Sequence, residues 1–119
     1  MDYVIPKEKI HRNGTTYLFQ GSEHGGVPIS FFWLDETPPG RGPQLHTHPY
    51  EELFLVREGL ARFTIGSDTI DVSGGHIVAV PPGVPHTFMN IGNGPFRHID
   101  IHASKHVITQ WLKESKGVL

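Results

Sequence analysis

Residues 40–52, GRGPQLHTHPYEE, carry most of the information about the fold and the chemistry of this chain. His46 and His48 are separated by one residue, so in a strand both imidazoles lie on the same face. The proline that follows predicts a turn, and Glu52 then begins the next strand, which returns a carboxylate to the imidazoles. Two nitrogens and one carboxylate oxygen form most of a site for a divalent transition metal, and His86 is the candidate for the fourth ligand.

The composition predicts one all-β domain. A chain of 119 residues fits a single hydrophobic core. Fourteen glycines and ten prolines indicate many turns and short strands. Short apolar runs separated by turn residues continue from Thr15 to Ala103, which is typical of a β-sandwich or β-barrel.

Several classes of protein are disfavoured by the same composition. The net charge of -2 gives no sign of a nucleic-acid partner, and no apolar run is long enough for a membrane span. The first residues lack the pattern of a signal peptide, and the absence of cysteine excludes disulfides and thiolate chemistry. We therefore expect a cytoplasmic protein that binds neither nucleic acid nor membrane.

Two segments contain more apolar side chains than the core of a single barrel can bury. Residues 27–34, VPISFFWL, are apolar on both faces of a predicted strand, so a partner subunit or a C-terminal helix should cover the second face. The spacing of apolar residues after Ser104, a plausible N-cap, predicts that helix, with Gly117 as its stop. Its apolar stripe is Val107, Ile108, Trp111 and Leu112. The expected divisions are an N-terminal segment (1–14), a barrel (15–103), and a C-terminal helix and tail (104–119).

Two spaced motifs resemble those of the cupin superfamily. The first runs from Gly40 through His46-Thr47-His48 and Glu52 to Gly59, and the second runs from Gly75 through Pro81-Pro82-Gly83 and His86 to Asn90. Both patterns are complete, with fifteen residues between them. The resemblance covers residues 40–90 and implies a single-domain jelly-roll β-barrel.

The resemblance also implies a metal site. Metal-binding cupins use the two histidines and the glutamate of the first motif with the histidine of the second, here His46, His48, Glu52 and His86. Three imidazoles and one carboxylate suit Fe(II), Mn(II), Ni(II), Co(II) or Zn(II) better than calcium or magnesium.

The neighbours of these residues predict a pocket. If Glu52 points inward, strand alternation also turns Phe54 and Val56 inward, and if His86 does so, Phe88 and Asn90 follow. The two phenylalanines would give a small-molecule pocket aromatic walls, or they would simply fill the barrel. The loop 37–43 should border the opening.

The strand 96–103 has two interpretations. His98, Asp100 and His102 share one face, and two isoleucines share the other. We expect the isoleucines to point into the barrel and the polar residues to point outward, because the barrel needs apolar filling. The alternative turns one polar residue toward the metal as a proton shuttle or as a partner of a ligand.

The sequence favours a metalloenzyme acting on a small organic molecule, with dioxygenase or other oxidoreductase chemistry as the leading hypothesis. The alternatives are a metal-dependent isomerase or decarboxylase and a domain that binds or senses a small ligand without converting it. Arg57, Arg62 and Arg97 are candidates for binding a substrate carboxylate. The uncovered apolar segments predict a homodimer.

Overall fold

The computed structural model describes residues 3–112, which form two antiparallel β-sheets. Short 3-10 turns lie at Lys7–Lys9 and Gly21–Glu23. The described strands are β1 (His11–Asn13), β2 (Thr16–Gln20), β3 (Ser30–Thr37), β4 (His46–Thr47), β5 (Glu52–Glu58), β6 (Leu60–Ile65), β7 (Asp68–Ser73), β8 (His76–Val80), β9 (His86–Asn90), β10 (Phe96–His102) and β11 (Gln110–Trp111). The prediction of an all-β fold is confirmed.

The two sheets are separate hydrogen-bonded units. One has the order β1-β2-β3-β10-β5-β8, and the other has the order β11-β4-β9-β6-β7. Within residues 3–112 no strand pairing closes the sheets into one barrel, so the predicted closed barrel is instead a two-sheet arrangement. The chain passes between sheets at residues 48–51, where Pro49 interrupts the strand and lets β4 and β5 belong to different sheets.

The hydrophobic core lies between the sheets at the end away from β4. Alternate residues of β5, β6 and β9 are buried, as the period of two requires. Phe63 and Phe96 are fully buried, and Phe54 packs edge-to-face on Phe63 with ring centroids 5.0 Å apart. This aromatic packing holds the two sheets together and sets the spacing of the site beside it.

The predicted C-terminal helix is wrong for residues 104–112. This segment contains no helix: it bends at residues 104–106, and β11 then pairs antiparallel with β4. The amide of Leu112 also bonds the carbonyl of Leu45 at 3.0 Å. Sheet pairing therefore overrides the helical spacing of the apolar residues, while Gly117 and the rest of 113–119 lie outside the described residues.

The apolar segment 27–34 is only partly a strand. β3 begins at Ser30, and Val27 and Ile29 before it are each 42% exposed. The side chains within β3 are half-buried, and the Lys7 ammonium lies 4.1 Å from the centroid of the Trp33 ring. The prediction that this segment is buried on both faces is thus wrong at its start.

Residues 3–112 contain no helix of the length and apolarity needed to cross a membrane.

Candidate metal centre

Four ligand-type side chains meet at the end of the sheets where β4, β5 and β9 begin. His46 lies directly opposite His86 across the β4–β9 pair, His48 follows on the same side of the chain, and Glu52 starts β5. One potential ligand atom from each residue lies within 4.8 Å of the others. All four side chains are buried, with exposures of 2–6%. The structure therefore brings His86 of the second motif beside three residues of the first motif that lie 34 to 40 positions earlier in the chain.

Backbone carbonyls orient the three imidazoles. The Nδ1 atom of His46 lies 2.7 Å from the carbonyl of Gln44. The Nδ1 atom of His48 lies 2.7 Å from the carbonyl of Ile108. The Nδ1 atom of His86 lies 2.8 Å from the carbonyl of Val84. A carbonyl only accepts, so we assign the proton to Nδ1 in each ring, which leaves Nε2 as a lone-pair donor.

The residues present fit a metal ion. Nε2 of His86 and Nε2 of His48 lie 2.9 and 3.1 Å from the same Glu52 oxygen. The buried His48 nitrogen has no hydrogen-bond partner of suitable geometry among the described residues. Lone pairs that face a carboxylate at this distance repel unless a proton or a cation lies between them. A divalent cation satisfies the nitrogens and the carboxylate together.

Burial and neighbours set the charges of the ligand groups. Burial opposes ionisation of Glu52, but the imidazoles of His102, His48 and His86 that face its oxygens outweigh burial and hold its pKa well below its usual range. Burial is the main cause that lowers the pKa of His46, which favours its neutral, metal-binding form. Burial acts the same way on His86, but its contact with Glu52 prevails and raises the pKa. A metal ion that binds His86 must displace the proton that the raised pKa favours. The metal affinity of the site should therefore fall at low pH.

A cavity of about 400 Å³ opens beside these ligands. It is lined by Thr16, Phe32, Leu34, Thr37, Gly42, Pro43, His46, His48, Glu52, Phe54, Phe88, Asp100, His102, Thr109 and Trp111. Six of these residues carry apolar side chains, and most of the surface that faces the cavity is apolar. Of the polar residues, His46, His48, Glu52 and His102 lie together at the ligand cluster. Apolar walls with a few convergent polar groups are typical of sites for small organic molecules.

The predicted pocket residues divide into two pairs. Phe54 and Phe88 line the cavity, with ring centroids 5.8 Å apart. Val56 lies in the core instead. The side chain of Asn90 donates to the carbonyls of Thr37 and Gly94, both at 2.9 Å. Val56 and Asn90 thus serve packing and loop structure and do not line the cavity.

The loop 37–43 forms part of the cavity wall through Thr37, Gly42 and Pro43. Gly42 approaches β9 so closely that a Cβ atom there would lie 1.7 Å from the carbonyl oxygen of Phe88. Only glycine allows this contact. The loop expected to border the opening thus contributes to the cavity wall.

The Cupin domain family matches residues 33–102 of this chain, a span that includes both motifs and eleven of the fifteen residues that line the cavity. The chain belongs to the cupin family. The family predicted from the motif spacing is confirmed.

Two curated proteins of no stated function are similar to this cupin. An uncharacterized protein of Methanocaldococcus jannaschii is 34% identical over 97 residues, which are 81% of this chain and 70% of that protein. An uncharacterized protein of Streptomyces coelicolor is 41% identical over 44 residues, which are 37% of this chain and 42% of that protein.

Solved structures of two enzymes share the fold. Bacillus subtilis oxalate decarboxylase superposes with a TM-score of 0.69 at 23% identity, over 82% of this chain and 27% of that chain. An oxalate oxidase superposes with a TM-score of 0.74 at 18% identity, over 92% of this chain and 63% of that chain. The cupin thus spans about a quarter of the first enzyme and under two thirds of the second.

Strand β10 faces the opposite way from the sequence prediction. His98, Asp100 and His102 are buried and point inward, while Ile99 and Ile101 are half-buried on the outer face. The register explains the error, because Asp100 lies opposite Phe54 and His102 lies opposite Glu52 on β5, both of which point inward. The sequence of β10 alone does not show which of its faces points inward, because that depends on its pairing with β5.

His102 is the functional neighbour that the sequence prediction turned outward. Its Nε2 lies 3.3 Å from the second oxygen of Glu52, and its Nδ1 lies 2.7 Å from the hydroxyl of Tyr50. The same hydroxyl accepts the amide of Ile108 at 3.0 Å. When Tyr50 donates to Nδ1, the proton of His102 is on Nε2 and is donated to Glu52, the tautomer opposite to that of the three ligand histidines. His102 thus orients Glu52.

Proposed function

We propose that this cupin is a metalloenzyme that binds one divalent transition metal through His46, His48, Glu52 and His86 and acts on a small organic molecule by oxygenase-type chemistry. The observation that carries the proposal is the convergence of three inward Nε2 lone pairs and one carboxylate, all buried, beside an apolar cavity. Iron, manganese, nickel, cobalt and zinc all suit this ligand set.

The fold neighbours support the choice of a metalloenzyme. One of the solved structures concerns Mn(II) centres in Bacillus subtilis oxalate decarboxylase, and another is an oxalate oxidase in complex with the substrate analogue glycolate. These likenesses are below 25% identity, so they support metal chemistry on a small oxygen-containing molecule without indicating oxalate as the substrate.

When bound, the metal would polarise a substrate oxygen and supply a redox centre or Lewis acid. The chain's own residues would do the rest. Phe54 and Phe88 would hold the organic part of the substrate and exclude water from the ligand end of the cavity. His102 would keep the Glu52 carboxylate in one orientation through its Nε2–H.

The first experiment measures metal content. The purified protein should hold close to one equivalent of a transition metal by elemental analysis, and His46→Ala should lose most of it, because a buried ligand nitrogen is removed. His76→Ala is the matched control, since His76 is an exposed histidine outside the cavity. Equal metal content in all three proteins would overturn the metal assignment.

The second experiment tests the reaction. Oxygen uptake is measured with protein loaded with Fe(II), Mn(II) or Ni(II) against a panel of catechols, flavonols and diketones. Uptake that depends on His46 supports the proposal. Conversion without oxygen uptake would replace oxygenase chemistry with isomerase or decarboxylase chemistry, and a copurified ligand that stays unchanged would replace the enzyme with a binding protein.

A further inference from the structure

The cavity contains one acidic side chain that the candidate metal ligands and His102 do not account for. Asp100 lines the wall beside Phe54 and Phe88 and is 6% exposed. Like His102, it points inward from β10, and it is the inward position that precedes His102 on the strand. Burying a carboxyl group costs free energy unless it is hydrogen-bonded or neutralised, so its position among the cavity side chains indicates a function or a partner.

His98 holds one oxygen of Asp100. Its Nδ1 lies 2.5 Å from Asp100 Oδ1, and its fully buried ring stacks on Phe96 with centroids 4.3 Å apart. The packing of that ring leaves the carboxylate little freedom to turn. The other oxygen, Oδ2, makes no hydrogen bond to any of residues 3–112, and it remains partly accessible. Asp100 thus presents a fixed hydrogen-bonding atom to the cavity.

The cavity wall has no fixed positive charge. None of the described residues that line it is lysine or arginine. The arginines considered as carboxylate binders pair elsewhere, with Arg57 on Asp35 at 2.7 Å and Arg62 on Asp71 at 2.8 Å, and Arg97 lies 3.7 Å from Glu58. A substrate with two carboxylates would therefore place its second charge beside Asp100 with no cation to receive it.

The register sets the distance between the two polar ends of the cavity. Asp100 and His102 are two residues apart on β10, a separation of about 6.8 Å along a strand. His102 contacts Glu52, so Asp100 lies about one small aromatic ring away from the ligand cluster. Phe54, opposite Asp100 on β5, lines the cavity at the same level.

We propose that Asp100, oriented by His98, is a substrate-binding residue that accepts a hydrogen bond from a hydroxyl or amine of the substrate. The inference rests on the proposed function, since the other end of the substrate would meet the metal. It defines the substrate class as a molecule with an apolar, ring-sized body and a hydrogen-bond donor at its far end, carrying at most one negative charge. Oxalate and other dicarboxylates fall outside this class.

An isosteric substitution separates this role from simple packing. In Asp100→Asn the Nδ1–H of His98 still needs an acceptor, so the amide oxygen takes that place and the amide NH2 faces the cavity. The variant keeps the volume and reverses the hydrogen-bonding character of the wall. It should weaken ligands that donate and strengthen ligands that accept.

The test uses three probes that share one benzoate end. 4-Aminobenzoate carries a donor at the far end, benzoate carries nothing there, and terephthalate carries only an acceptor with a second charge. Affinities are measured by calorimetry on the Co(II)-loaded full chain, with the Co(II) absorption spectrum as a second readout. The matched control is Asp71→Asn, which removes an exposed aspartate on β7 outside this cavity.

We expect the wild type to bind 4-aminobenzoate about tenfold more tightly than benzoate and terephthalate least, from the strength of a hydrogen bond to a charged group. Asp100→Asn should remove the preference for 4-aminobenzoate and bring terephthalate above benzoate, while Asp71→Asn should keep the wild-type order. A wild-type order that favours terephthalate, no binding of any probe, or an unchanged order in Asp100→Asn would each overturn the inference.

Failure of the metal centre is distinguishable from failure of this inference. If the chain takes up no Co(II), the proposed function fails, and the order of the three probes on the metal-free chain decides the role of Asp100. If Asp100→Asn does not fold, as judged by circular dichroism, the wild-type order alone decides it.

Discussion

At the scale of the residue, one histidine controls the orientation of the carboxylate ligand. Glu52 Oε1 is the atom closest to His48 and His86, whereas Oε2 is held by His102 at 3.3 Å. Tyr50 holds the other side of His102. Such partners of metal ligands commonly contribute a factor of about 10–100 to metal affinity.

His102→Leu should therefore lower the metal affinity about 10- to 100-fold without removing a ligand. His102→Gln should recover part of the loss, because its amide can still donate to Glu52. Competition with a chelator measures the affinity, and His76→Leu at an exposed position is the control. Equal affinities in His102→Leu and wild type would show that Glu52 needs no such support.

The buried Asp100 also makes stability depend on pH. Burial is the main cause that raises its pKa, against the opposing effect of His98, and Glu52 raises it further. A raised folded-state pKa means that the stability from this group is full below its unfolded value of about 3.9 and is lost as pH rises through the folded value. His98 and His102 on β10, with Glu52 on β5, are the ionisable groups that act on it.

Asp100→Asn removes that pH-dependent loss of stability, because an amide does not ionise. The free energy of unfolding of the variant minus that of wild type should therefore increase as the pH rises above the unfolded pKa of about 3.9. Urea unfolding at several pH values measures it, and titrations common to both proteins cancel in the difference. A difference that is constant or that falls over this range would contradict the prediction.

At the scale of the element, β11 and the extended residues before it complete the site from outside the motifs. The carbonyl of Ile108 receives Nδ1–H of His48, and its amide bonds the hydroxyl of Tyr50. Trp111 lies opposite His46 in the β11–β4 pair, with ring centroids 5.0 Å apart. One short segment thus sets a ligand tautomer and covers the face of another ligand.

Truncation after Thr109 should keep metal binding but speed the loss of metal. It removes β11 and the Trp111 ring while leaving the carbonyl of Ile108 in the chain. The rate at which a chelator extracts the metal should rise several-fold, followed by absorbance of the chelate. Truncation after Leu112 keeps β11 and is the control, and equal rates in the two proteins would mean that β11 does not shield the metal.

At the scale of the whole molecule, the outer face of the six-stranded sheet is apolar across five strands. Its two rows are Tyr17, Trp33, Ile99, Leu55 and Ile77, and Phe19, Phe31, Ile101, Leu53 and Ala79. Leu53 is 39% and Ile77 is 68% exposed. Ion pairs of Asp35 with Arg57 and of Arg97 with Glu58 lie along one side of this face. An apolar centre with a charged rim is typical of a protein interface.

We expect two copies of the chain to pair through this face. Sedimentation should give twice the chain mass of 13.3 kDa at micromolar concentration. Ile77→Lys should shift the protein toward monomer, because it places a charge in an apolar contact. Met89→Lys is the matched control, a 51% exposed apolar residue on the other sheet. A monomeric wild type, or equal behaviour of the two variants, would contradict the prediction.

The sequence determined the parts of this protein that depend on spacing along the chain. The period of two, the turn-forming glycines and prolines, and the two cupin motifs predicted an all-β fold and a set of four ligand residues that the structure brings within 4.8 Å. These features are local, since each depends on residues a few positions apart.

Only the tertiary structure decided which strands pair and therefore which faces meet. The pairing of β10 with β5 turned His98, Asp100 and His102 inward, and the pairing of β11 with β4 replaced the predicted helix over residues 104–112. Register and sheet order arise from contacts between distant segments, and shifting the pairing by one residue turns a strand's side chains to its other face. The four candidate metal ligands could be predicted from their spacing along the chain. Asp100 and His102, the residues proposed to bind substrate and orient Glu52, could be identified only from the folded sheet.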